Sequence, residues 1–324
     1  MSTSAIETTA LTKGFGAHRG ILGLDLAVRR GEVFGFLGPN GAGKTTAIRV
    51  LMGLHAPDSG RARVLGLDPT RDRVALGART GYLPGDLVLV PRQTGRQLAD
   101  RFARVRGLGD TSYRDELVER LGVDLDRPTQ TLSKGNRQKI GIVLAFMHRP
   151  ELLVLDEPTS GLDPLLQNEF GLLLEETTAD GRTVFLSSHD LDEVQRVVDR
   201  LAIIREGRIV VTDTVEGLRS HAPRTMEVTT AHDLSGDDLA PLRSLTDLTV
   251  ERDGPRRLRL TLTGPVGPVL RAVAELDPVD LRARPADLDE LFLGYYRPVD
   301  DGHHTRHTDD TDQTDGPGGV DRVP

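Results

Sequence analysis

The stretch Gly38-Pro39-Asn40-Gly41-Ala42-Gly43-Lys44-Thr45-Thr46 constrains the fold of this chain more than any other. It satisfies G-x-x-x-x-G-K-[ST] at every position, and its flanks agree with it. The preceding run, Glu32-Val-Phe-Gly-Phe-Leu37, is short and apolar, as a buried strand is. The following run, Ala47-Ile-Arg-Val-Leu-Met52, has helical spacing. A strand feeding a glycine loop that opens a helix is one unit of an α/β sheet. The glycines let backbone N–H groups turn inward on phosphates, and the helix N-terminus adds partial positive charge. In such a loop Lys44 reaches the β- and γ-phosphates of a nucleotide, and the Thr45 hydroxyl ligates Mg²⁺.

A second motif for the same ligand lies at Leu152-Leu-Val-Leu-Asp156-Glu157. Four apolar residues ending in two carboxylates read as a buried strand that delivers acids to its C-terminal edge, where ligands bind in such sheets. Asp156 is placed to hold Mg²⁺, and Glu157, pointing elsewhere, to polarise an attacking water.

The rest of the chain sets bounds. Hydrophobic residues make up 37% and charged residues 28%, the proportions of a soluble globular protein. No apolar run approaches the roughly 18 residues of a membrane span. The N-terminus has neither the basic region nor the apolar core of a signal peptide. The 324 residues contain no cysteine, which excludes disulfides and thiolate metal sites and fits a cytoplasmic protein. A net charge of −8 argues against a general nucleic-acid binder.

Three segments differ in texture. Residues 5–218 hold every chemical motif and alternate strand-like with helix-like patterns. Within them Leu98, Phe102 and Val105 form an amphipathic stretch, with Arg101, Arg104 and Arg106 interleaved. Those arginines read as a solvated face, with contact to a partner as the alternative. Residues 225–296 read as a small α+β domain. There Met226-Glu-Val-Thr-Thr230 and Leu258-Arg-Leu-Thr-Leu262 alternate as half-buried strands do, and Val269 to Leu276 has the pattern of a short helix. Residues 297–324 are rich in Asp, Gly, Thr and His and read as disordered. His303, His304 and His307 there read as solvated rather than metal-binding.

Between the two nucleotide motifs lies Leu132-Ser133-Lys134-Gly135-Asn136-Arg-Gln138. It resembles the signature motif of ATP-binding cassette (ABC) ATPases, usually Leu-Ser-Gly-Gly-Gln, with Lys134 and Asn136 as departures. Other landmarks of that family follow in order. Ser160-Gly161-Leu162-Asp163 resembles the loop that links two ATP sites across a dimer, and His189 after Ser187-Ser188 resembles the switch histidine. Phe15 stands where an aromatic residue stacks on adenine. One landmark is altered: after Gly81-Tyr82-Leu83-Pro84 the family places a glutamine, and this chain has Gly85 and then Asp86 as a stand-in candidate for Mg²⁺.

The resemblance covers residues 5–218 and implies an α/β fold, a P-loop NTPase cassette of ABC type. Such a cassette has a mostly parallel sheet core, an antiparallel β subdomain and a helical subdomain, to which this chain adds its small C-terminal α+β domain. It implies that ATP and Mg²⁺ are bound by Gly38 to Thr46, Phe15 and Asp156. Lys44, Glu157 and His189 are the implied catalytic groups. Ser133, Gly135 and Asp163 would serve a partner's nucleotide, so the working form would be a homodimer of cassettes. It further implies a separate integral-membrane permease, with the chain peripheral at the cytoplasmic face of the cell membrane. Ala286-Asp-Leu-Asp-Glu-Leu-Phe-Leu-Gly-Tyr-Tyr296 resembles the ending of stand-alone export cassettes of the daunorubicin-resistance type. The rival readings are a soluble ATPase acting on ribosomes or DNA, and a regulatory cassette that does not hydrolyse.

Overall fold

Side chains along the short apolar strands alternate between two cores, and this alternation fixes the centre of the molecule. Val33, Leu37, Leu153, Leu155, Val184, Leu186, Leu201 and Ile203 enter one core. Phe34, Phe36, Leu152, Val154, Phe185, Ala202 and Ile204 enter the other. A sheet covered on both faces needs continuous apolar runs, which is why these strands lack the polar alternation of a half-exposed sheet.

The computed structural model describes residues 3–16, 18–221 and 223–283. In chain order the strands are β1 (Ser4–Phe15), β2 (His18–Arg29), β3 (Val33–Leu37), β4 (Ser59–Val64) and β5 (Thr80–Leu83). Next come β6 (Leu152–Asp156), β7 (Thr183–Ser188), β8 (Arg200–Arg205) and β9 (Arg208–Thr214). The last four are β10 (Arg224–Thr230), β11 (Leu248–Arg252), β12 (Arg257–Leu262) and β13 (Pro278–Ala283). The central sheet has the order β5-β6-β7-β3-β8-β9, parallel except for the hairpin partner β9. An antiparallel sheet, β2-β1-β4, closes one core. Helices Gly95–Arg106, Ser112–Arg120 and Lys134–Phe146 contribute to the other. The expected cassette layers are therefore present. A separate antiparallel sheet, β11-β12-β10-β13, has its own apolar cluster with Val269 and Val273 of the helix Val266–Ala274. The export-type ending at 286–296 and the three tail histidines lie outside the described residues.

The helix after the phosphate loop runs Lys44–Leu51, three residues earlier than its apolar spacing indicates, because Gly43 at φ 111° turns the chain directly into it. The reading of Arg106 as solvated is corrected. It is half-buried and donates to the carbonyls of Gly77 (3.0 Å) and Thr80 (3.3 Å), so it ties helix Gly95–Arg106 to the start of β5. Sequence spacing cannot separate an arginine that satisfies backbone carbonyls from one that faces water.

His148 meets the same carbonyl, with Nε2 3.1 Å from Thr80 O. Burial, aided by the Arg106 charge, pushes the imidazole from 6.5 down to about 4. The unfolded chain therefore takes up this proton at a higher pH than the folded one. The stability that the neutral His148 imidazole contributes is complete above about pH 6.5 and falls as pH drops towards 4. His148→Gln, which cannot titrate, is expected to flatten that fall, measured by urea denaturation at pH 7 and pH 4.5.

Candidate functional site

The phosphate loop leaves β3 after Leu37 and ends at Gly43, the N-cap of helix Lys44–Leu51, where no side chain caps the first-turn N–H groups. The loop is braced from two directions. Gly207, in the β8–β9 turn, donates its N–H to Ala42 O (2.9 Å) and accepts from Leu22 N (2.7 Å). A Cβ added at Gly43 or at Gly207 would lie 2.7 Å from Gly20 O, so neither position admits a side chain. Lys44 is 6% exposed, and its ammonium donates to Gly38 O and to Pro39 O (3.3 Å).

A cavity of about 610 Å³ opens in front of the loop. Its walls are Pro39, Asn40, Gly41, Gly43, Lys44, Thr45 and Thr46, with Gly85, Asp86, Lys134, Glu157, Ser160 and His189 opposite. Gly38 and Ala42 lie beneath the loop and do not line it. Thr45 donates through Oγ1 to Asp156 Oδ2 (2.8 Å), and Ser187 donates to Asp156 Oδ1. Asp156 is fully buried. No group of three acidic or histidine side chains that would hold a metal occurs among the described residues. One hydroxyl and one buried carboxylate suit Mg²⁺, which takes few protein ligands and leaves its other positions to phosphate and water.

Glu157 is the most constrained group in the cavity. Its backbone takes φ 52°, and its N–H donates to Ser187 Oγ (3.1 Å). His189 Nδ1 lies 2.7 Å from Glu157 Oε2. A carboxylate only accepts, so Nδ1 carries the proton. Glu157 Oε1 lies 3.2 Å from the Lys44 ammonium, yet it is buried and accepts no hydrogen bond. The pair is a charge contact without the angle of a hydrogen bond. One carboxylate oxygen is thus held by His189, and the other is buried against the Lys44 ammonium.

Other candidates fall elsewhere. Ser133 is the N-cap of helix Lys134–Phe146, its Oγ accepting from Asn136 N (3.2 Å). Asp163 caps helix Pro164–Ala179, accepting from Leu165 N and Leu166 N at 3.1 Å each. Neither these two nor Gly135 lines the cavity. Phe15 is 43% exposed and packs edge-on against His55, also off the cavity. Asp86 reaches the rim, but its carboxylate is 92% exposed and lies 4.0 Å from Arg49. Gly85 is the residue that abuts the buried acid, since a Cβ there would sit 3.2 Å from the Asp156 carboxylate.

Residues 21–160 match the family model described as ABC transporter. A daunorubicin resistance ATP-binding protein of Streptomyces coeruleorubidus is 36% identical over 309 residues, covering 90% of this chain and 96% of that one. The chain belongs to the ABC transporter family. It is an ATP-binding subunit of the export type, and its cassette hydrolyses ATP. The bacitracin transport ATP-binding protein of Bacillus licheniformis is 36% identical over 232 residues, covering 70% of this chain and 75% of that one. Among solved structures, an ATP-binding subunit of an ABC transporter superposes with TM-score 0.63 at 29% identity, covering 67% of this chain and 92% of that one. A cassette of Clostridium perfringens, cbiO1 of the transporter complex cbiONQ, gives 0.57 at 26% identity, covering 67% of this chain and 91% of that one.

Motif matching missed the group that joins the two acids of this ABC cassette. Ser187 binds both Asp156 and the Glu157 backbone, and its position in Ser187-Ser188-His189, two residues ahead of the histidine, is the only sequence signal for it. Ser187→Ala leaves a buried carboxylate oxygen without its donor. It is expected to lower ATP turnover about tenfold with the fold retained, read by ATPase assay and circular dichroism.

Proposed function

We propose that two copies of this chain close around two nucleotides and drive export through a separate membrane permease. The cassette is residues 5–218, with residues 225–296 as an accessory domain. The observation that carries the mechanism is Glu157, with one oxygen on His189 and the other buried, unbonded and beside Lys44. Lys44 and the loop N–H groups bind the β- and γ-phosphates. The Glu157 carboxylate orients the attacking water and draws on its proton, while His189 keeps that carboxylate at the cavity wall. Thr45 and Asp156 would hold Mg²⁺, which neutralises charge developing on the phosphates. Asp86 is a rim residue in this scheme, and Phe15 a contact for the base.

Ser133, Gly135 and Asp163 lie away from the chain's own cavity, which supports their serving a nucleotide on a second copy. Export is supported by the relatives, which are named for drug resistance, bacitracin transport and Nod factor export. No helix among the described residues is long and apolar enough to cross a membrane, so a permease must supply the pathway. Its docking site is a groove of about 500 Å³ lined by Val74, Ala78, Arg101, Phe102, Val105 and His148. Val74 is 89% and Val105 82% exposed, an apolar surface that a cytoplasmic segment of the permease would cover. The chain then sits at the cytoplasmic face of the membrane without entering it.

Glu157→Gln should bind Mg-ATP, dimerise and retain a multi-span membrane protein through purification in detergent, while turnover falls at least about a hundredfold. Recovery of only soluble protein, ribosomes or nucleic acid, or near-normal turnover, would refute the assignment. Val105→Asp in the same background is expected to lose the membrane protein and keep the ATP-dependent dimer, checked by light scattering.

A further inference from the structure

Glu157 holds a left-handed backbone conformation at φ 52°, which a residue with a Cβ keeps only where its surroundings enforce it. Ser187 grips the Glu157 N–H from one side. The other side is held by the helix Lys134–Phe146. Gln138, one turn into that helix and 4% exposed, donates through Nε2 to the carbonyls of both Glu157 (3.2 Å) and Pro158 (3.0 Å). Lys134, its first residue, donates to Ser160 Oγ (2.8 Å). The aliphatic stem of Lys134 passes over Gly161, where a Cβ would lie 3.5 Å from the lysine Cδ. The first turns of one helix therefore bond to three of the four residues from Glu157 to Ser160.

We propose that Gln138 and Lys134 are positioning residues for Glu157. They set the backbone so that Oε2 meets His189 and Oε1 lies beside Lys44. Gln138 bonds at the carboxylate's own peptide, and Lys134 fixes the following turn. The inference has a regulatory consequence that rests on the dimer reading above. The same helix begins at Ser133 and Gly135, so a partner's nucleotide seated there acts directly on the residues that hold Glu157. Hydrolysis at one site is thereby tied to occupancy of the other through a single helix.

The test uses the full chain and steady-state ATPase kinetics. Gln138→Leu is expected to lower kcat about tenfold and Lys134→Met about threefold, with KM changed less than twofold. Lys134→Arg, which keeps a donor, should recover most of the loss. Ser160→Ala should match Lys134→Met, and the double variant should be no worse than either, since both remove one bond. In the Glu157→Gln background both helix variants should still form ATP-dependent dimers. Unchanged kcat in both, KM rising as kcat falls, failure of arginine to recover turnover, or loss of the dimer would each overturn the positioning role. If Gln138→Leu unfolds, the Lys134 series decides alone. If the Glu157→Gln parent itself forms no ATP-dependent dimer, the dimer reading and its regulatory consequence fail, while the kcat comparison still judges the positioning role.

Discussion

The parallel register of three neighbouring strands sets everything at the site. Asp156 at the end of β6 pairs with Ser187 on β7, and Ser188 pairs with Leu37 at the end of β3. The two acids, the serine, His189 and the phosphate loop therefore emerge at one level of one sheet edge. A slip of one residue in β7 would turn Phe185 into the wrong core and Ser187 away from Asp156, so the packing that stabilises the sheet also aligns the chemistry. Phe185 stacks on Phe34, ring centroids 6.0 Å apart, and packs tilted by 35° against Phe36 at 5.5 Å. Such a slip would also lose these aromatic contacts.

What could be read in advance was whatever is contiguous. Gly38 to Thr46 and Leu152 to Glu157 each encode a strand, an edge and a charge within a few residues, and each lies where its pattern put it. The cassette layers came from the resemblance to ABC ATPases, since apolar runs by themselves indicate only a sheet buried on both faces. The pattern gave no account of contacts between segments distant in sequence. Gln138 reads as one more polar residue on an amphipathic helix until its amide is seen against the carbonyls of Glu157 and Pro158. Arg106 looks identical to its solvated neighbours until Gly77 and Thr80 are placed beside it. Asp86 lines the cavity rim with an exposed carboxylate. The residue count put it at the cavity, but Gly85 is the one that faces Asp156.

The two departures from the common signature motif also separate. Asn136 contributes its backbone N–H to the Ser133 cap, which any residue could do. Lys134 bonds a loop that a glycine in its place could not reach. A substitution that looks like drift in a motif comparison is here a connection between two parts of the active site.

The brace under the phosphate loop has a less obvious consequence. Gly20 O, Gly43 and Gly207 meet where the antiparallel sheet, the β8–β9 hairpin and the loop converge, leaving no room for even a methyl group. The hairpin carries no recognisable motif and does not line the cavity. Yet a single alanine at its tip would do the same damage as a lesion in the loop itself. A catalogue of inactivating variants sorted by motif would file it under folding, whereas its biochemical signature would be lost nucleotide affinity in a protein that is otherwise intact.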